Sequence, residues 1–180
     1  MRSCMIVLFF SLCLAGCSNV TVDSTVWRAQ DVSLTEYQAL QVLDVFNASG
    51  RSVSKAALTS FDRQLKDHLE KKDLQIVDSL KEAENPLLVQ TSIVHYERER
   101  PVIGSYRSFY INGVARESVV TLQIVLLDRV LNRRVAEIKN ATIYGSGANR
   151  VPDFENQLFH QVANVAAEEI TKLLRSVESQ

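Results

Sequence analysis

The chain has 180 residues, 46% of them hydrophobic, with 20 basic and 21 acidic side chains. That length suffices for one domain with its own core, and a net charge of −1 excludes the basic excess expected of a nucleic-acid binder. Its three cysteines, Cys4, Cys13 and Cys17, all lie near the start, so the rest of the chain offers no thiol for a disulfide, a zinc cluster or a nucleophile.

The N-terminus places one cation, Arg2, before about a dozen mostly apolar residues and then small ones, in the order of a secretory signal peptide. The apolar run is shorter than the roughly 20 residues a helix needs to cross a bilayer, so no permanent span is expected. The tetrapeptide Leu14-Ala15-Gly16-Cys17 resembles the bacterial lipobox. The resemblance implies that the Cys17 thiol takes a diacylglycerol, that residues 1–16 are removed, and that the chain is a membrane-anchored lipoprotein facing the periplasm. One acyl chain holds a protein only marginally, and the lipobox implies at least two. Ser18, not Asp, follows the cysteine, which by the same resemblance favours the outer membrane. A plain signal peptide, or a buried apolar helix with an incidental cysteine, is the competing reading. The small Ala15 and Gly16 and the polar Ser18-Asn19 weigh against it.

Residues 17–37 read as the lipidated cysteine and a polar tether, with the lone Trp27 available to fold back. A single α/β domain is expected over 38–177. Ala39 to Phe46 is an apolar run of strand length, closed by the turn cluster Asn47-Ala48-Ser49-Gly50. A helix follows, capped by Ser54, with Leu58, Phe61, Leu65 and Leu69 at spacings of three and four and Lys71-Lys72 at its C-terminus. Leu74 to Val77 reads as a short strand, and Leu87 to Tyr96 as a longer one after Asn85-Pro86. Val119 to Asp128 alternates most clearly, with Val120, Leu122, Ile124 and Leu126 on one face and Thr121 and Gln123 on the other. Asn132-Arg133 breaks it, and Val135 to Tyr144 returns as the second arm of a hairpin. After the loop Gly145 to Asn149, Asp153 caps a last helix whose stripe is Leu158, Val162, Val165, Ala166, Ile170, Leu173 and Leu174. The predicted order is β-α-β-β-β-β-α. It implies an α+β fold, with a mixed, mostly antiparallel sheet of about five strands and two helices on one face.

Few residues suggest chemistry. His68, His95 and His160 are scattered over two helices and a strand, without the spacing of a helical metal site. Gly145-Ser146-Gly147 lacks the outer spacing of a nucleophile elbow and the Lys-Ser/Thr of a phosphate loop. Asp128 and Asp153 read as a turn residue and a helix cap. No catalytic residue, metal or cofactor is expected beyond the lipid on Cys17. The segment 97–113 is the exception that invites a function. It interleaves Tyr106, Phe109 and Tyr110 with Arg100 and Arg107, the residue types enriched in binding hot spots, in a loop longer than most. It reads as a candidate partner-binding or self-assembly loop, or as a hairpin whose aromatics cover the sheet edge. Membrane insertion is disfavoured, because a spanning strand needs roughly 9–11 alternating residues and this segment carries Arg107 and few apolar positions.

The strand Ala39–Phe46, the helix through Leu69, the strand Leu74–Val77, Pro86-Leu87-Leu88-Val89-Gln90 and Thr121 to Asp128 together resemble the periplasmic domains of the curli-secretion lipoprotein and the amino-terminal domain of TolB. Where those families often place Gly in the turn, Asn132 stands, and Asn tolerates the left-handed conformation. The resemblance covers residues 38–177. It implies a non-enzymatic accessory or assembly role, with an envelope protein or a second copy as partner. The alternative is a hydrolase or ligand-binding domain acting on cell-wall or lipid material, with His95 and two carboxylates gathered in a cleft.

Overall fold

The computed structural model describes residues 22–37, 39–79, 83, 86–101, 116–146 and 154–175. Strands β1 (Val22–Arg28), β2 (Ala39–Val42), β3 (Phe46–Asn47), β4 (Gln75–Ile76), β5 (Leu87–Pro101), β6 (Arg116–Asp128) and β7 (Arg133–Ser146) form one sheet with helices α1 (Lys55–Glu70) and α2 (Phe154–Arg175). The strand order is β1-β7-β6-β5-β2-β4, with β3 also on β5. The pairs β5–β6, β6–β7 and β7–β1 are antiparallel. Those of β2 with β4 and β5, and of β3 with β5, are parallel, because α1 carries the chain across between β2 and β4. The architecture is the expected α+β one, with seven strands rather than about five.

The core follows from alternation. Val120, Leu122, Ile124 and Leu126 of β6 are fully buried, as are Leu87, Val89 and Ile93 of β5. On β7 the buried residues opposite the β6 set are Ala136, Ile138, Ala141 and Ile143, whose spacing jumps from two to three. A bulge accounts for this. Both neighbours skip a residue of β7 between Ile138 and Ala141, and the extra residue keeps the apolar side chains on one face. α1 meets that face with Ala57, Phe61, Leu65 and Leu69, and α2 with its whole expected stripe plus Phe159, Ala163 and Ala167. Ala57 takes the core position expected of Leu58, which packs at the margin.

The helices run side by side in the same direction. Phe61 meets Phe159 edge to face at 6.5 Å, and further along Arg175 donates to the Lys72 carbonyl at 2.5 Å. Ser54 caps α1 as expected, its hydroxyl accepting from the Ala57 amide at 3.2 Å. No described helix is long and apolar enough to cross a membrane.

Three sequence expectations change. The tether does not extend through 37. Val22–Arg28 is an edge strand on β7, and the 3-10 turn Leu34–Glu36 buries Leu34. The run 39–46 divides into β2 and β3, because Leu43 and Asp44 turn outward and the Asp62 carboxylate takes the Val45 amide at 2.8 Å. The segment treated as a loop from Glu97 begins as strand, since β5 continues to Pro101 opposite Arg116.

Candidate functional site

Two helices cover one face of the sheet, and no described helix covers the other. Across that outer face the register aligns Trp27, Glu137, Val125 and Gln90, and beside them Thr25 and Lys139. β1 forms its border. Among the described residues nothing pairs with the far side of β1. Val26 and Trp27, pointing to opposite sides of this border strand, are 50% and 42% exposed. Both are residues that β-strands favour.

At the centre of this surface sits Glu137, only 1% exposed. Gln123 Nε2 donates to its Oε1 at 2.6 Å, Arg134 donates to Oε2, and Lys139 Nζ lies 3.7 Å from Oε2. The Arg134 guanidinium also sits 4.8 Å from the centre of the Trp27 ring. One buried carboxylate thus orients two cations and an amide, and through Arg134 it fixes the aromatic side chain on the border strand.

The adjoining β6–β7 turn is built around Asp128, which is 2% exposed. The Tyr37 hydroxyl donates to its Oδ2 and the Leu131 amide to Oδ1 at 2.8 Å. Burial pushes Asp128 upward. The hydrogen bonds from Tyr37, Leu131 and Val130, with the charge of Arg133, outweigh it and hold the carboxyl below its usual value. Burial, then the bond to Asp128, raises the Tyr37 phenol. Asn132 adopts φ 49°, the left-handed conformation expected of it. The exposed Val130 and Leu131 form the tip, and Arg133 pairs with Asp31 at 2.7 Å. The turn role expected of Asp128 accounts for its bond from the Leu131 amide.

The other expected site residues are distributed as follows. Arg100 stands on β5 opposite Glu117. Tyr106, Arg107, Phe109 and Tyr110, together with Cys17 and Asp153, lie outside the described residues. His95 sits on the exposed side of β5, 3.8 Å from Glu97. A groove nearby is lined by Arg51, Ser52, Tyr96, Glu97, Arg98 and Glu155, and the Tyr96 hydroxyl donates to Glu155 at 3.2 Å. It contains two carboxylates but not His95. Among the described residues no group of three or more His, Cys, Asp or Glu side chains is placed to hold a metal.

Two features escaped sequence reasoning. The Trp27–Arg134–Glu137 cluster joins two strands that only the sheet order brings together. His68 and His160, on separate helices, meet edge to face at 5.4 Å.

No protein-family model matches the chain, and no curated protein matches it in sequence. Solved structures do match in fold. The hypothetical protein CT253 from Chlamydia trachomatis is similar over 78% of this chain and 99% of its own, with a TM-score of 0.50 at 9% identity. The PelC dodecamer from Paraburkholderia phytofirmans is similar over 78% and 97%, with a TM-score of 0.46 at 15% identity. The lipoprotein GNA1162 from Neisseria meningitidis is similar over 72% and 98%, with a TM-score of 0.41 at 12% identity. At such identity the likeness to the Chlamydia protein is one of fold alone.

Proposed function

We propose that this chain is an envelope lipoprotein whose domain binds a partner protein through its β1 border and does no chemistry of its own. The supporting observation is that border strand, with no described strand on its outer side and with Val26 and Trp27 exposed along it. An open row of backbone donors and acceptors is a template for adding a strand, and proteins without such a use blunt their edges. The sequence supplies the location. If Cys17 carries the lipid, β1 begins five residues later, so its start lies within roughly 18 Å of the anchor even when the chain is fully extended. A partner on β1 therefore has to be reachable at the membrane surface. On this reading the chain sits in the outer membrane, as Ser18 after the cysteine favours, with a domain akin to those of the curli-secretion lipoprotein and TolB.

The test is a photoreactive residue in place of Thr25 on β1, with Arg63 on the exposed side of α1 as control, in intact cells. A crosslinked protein from Thr25 and none from Arg63 supports the reading, and a product of twice the chain's mass identifies the partner as a second copy. Equal yields from both positions, or none from Thr25, would overturn it. Cys17→Ser should release the chain from membranes and abolish lipid labelling; continued retention contradicts the anchor.

The alternative of a ligand-binding or hydrolytic domain draws on the groove that contains Glu97 and Glu155 with Arg51 and Arg98. A bound cell-wall fragment lost in Glu97→Gln and Glu155→Gln, but not in a Thr25 variant, would favour it.

A further inference from the structure

His68 lies in the last turn of α1 between the fully buried Leu65 and Leu69, and His160 follows the fully buried Phe159 on α2. Their rings meet at 5.4 Å with planes 89° apart. The Nε2 of His68 is sealed from solvent with no hydrogen-bond partner. A neutral imidazole tolerates this position. A protonated one would carry a second N–H into a place with nothing to accept it, against another imidazole.

The charges facing His68 do not relieve that cost. From α1 and its exit turn come Asp67, Lys71 and Lys72, and from α2 comes His160. Farther along α2, Glu168 is engaged by Asn164 and Arg175 by the Lys72 carbonyl. Burial is the largest influence, followed by His160 and Lys71. They outweigh Asp67 and hold His68 below its ordinary value of 6.5. The sign follows. A base whose pKa is lower in the folded than in the unfolded chain is protonated preferentially on unfolding. Its neutral form therefore stabilises the fold fully above about pH 6.5, and that contribution fades as pH falls through this value toward the folded pKa.

We propose that the His68–His160 contact is an acid-sensitive clasp between α1 and α2, closed while His68 is neutral and loosened when it takes up a proton. The seam lies directly over the core face of the sheet, so its loosening would change how firmly the helical layer backs the strands.

The experiment uses the full chain, purified in detergent, with His68→Gln and His160→Gln. Histidine proton resonances are followed from pH 8 to 4.5, and hydrogen exchange is measured at both ends of that range. In the unsubstituted chain His68 should titrate below the value of an exposed histidine. In His160→Gln, which removes an exposed ring, the His68 titration should move upward. Amides of α1 and α2 should open more readily in acid, and His68→Gln should blunt that response. The unfolding constant should rise by a factor of about ten for each pKa unit by which His68 is depressed. An unchanged His68 titration in His160→Gln, or the same acid response in His68→Gln as in the unsubstituted chain, would overturn the proposal. If His68→Gln does not fold, the His160→Gln titration decides alone.

Discussion

The guanidinium carbon of Arg134 lies 4.8 Å from the centre of the Trp27 ring, while the same group donates to Glu137. Border strand and neighbouring strand are thus tied by a side chain as well as by backbone bonds. Trp27 is the only tryptophan, so its fluorescence reports on this tie. Arg134→Ala should change the Trp27 emission in the folded protein and cost about 0.5–1 kcal/mol in urea unfolding, the range for a cation–π contact near solvent. An unchanged emission would mean that the contact is not maintained in solution.

Glu137 should matter more than either cation it holds. It is fully buried, and Glu137→Ala leaves the Gln123 amide without its acceptor, so a loss of about 1–3 kcal/mol is expected. Arg134 and Lys139 have side chains that are 46% and 52% exposed. Water replaces part of what each loses, and alanine at either should cost less than about 1 kcal/mol. Urea midpoints of the three variants would test the ordering, and equal costs at all three positions would contradict it.

The parts of the fold legible in the sequence were those where one periodicity ran unbroken. Val120 to Leu126 alternates without interruption, and the α2 stripe repeats over five turns, so the buried face of each is legible. β1 was not legible. Val-Asp-Ser-Thr-Val-Trp-Arg is mostly polar, and its two large exposed apolar side chains, Val26 and Trp27, are adjacent rather than alternating. On β7 the extra residue between Ile138 and Ala141 concealed which side chains share a face. The His68–His160 contact depends on how two amphipathic helices are rotated against each other, and each helix's own sequence leaves that phase open. Ser54 and Asn132 are legible because a cap and a left-handed turn are local demands.

That local demand at Asn132 can be tested. Its φ of 49° suits Gly and Asn and strains other L residues. Asn132→Gly should leave the thermal midpoint nearly unchanged, whereas Asn132→Val should lower stability by about 1–2 kcal/mol. Equal effects of the two substitutions would indicate that the turn relaxes to another conformation.

The core offers a larger effect. Phe61 is fully buried and contacts Phe159 edge to face. Phe61→Ala should cost about 3–5 kcal/mol, while Phe61→Leu, which refills most of the volume, should cost considerably less. A double-mutant cycle with Phe159→Leu would isolate the ring–ring contact, with a coupling of about 0.5–1.5 kcal/mol expected. A coupling of zero would assign the stabilisation to burial alone.

Asp128 should govern a pH window of its own, in the range where carboxylates titrate. Its carboxyl is held below 3.8 in the folded chain, so the ionised form is the one the fold stabilises. That stabilisation is complete above the unfolded value and is lost as pH falls through it toward the folded pKa. Asp128→Asn cannot titrate, and its amide presents a donor where Tyr37 also donates. The variant should therefore be less stable at neutral pH by about 1–3 kcal/mol, and its stability should fall less steeply than that of the unsubstituted chain from about pH 5 to about pH 2. Tyr37→Phe removes one of the bonds that lower Asp128 and leaves the Leu131 amide in place, so its curve should lie between the other two. The three urea-unfolding curves against pH measure this directly. Parallel curves for Asp128→Asn and the unsubstituted chain would show that the acid sensitivity in this range arises elsewhere.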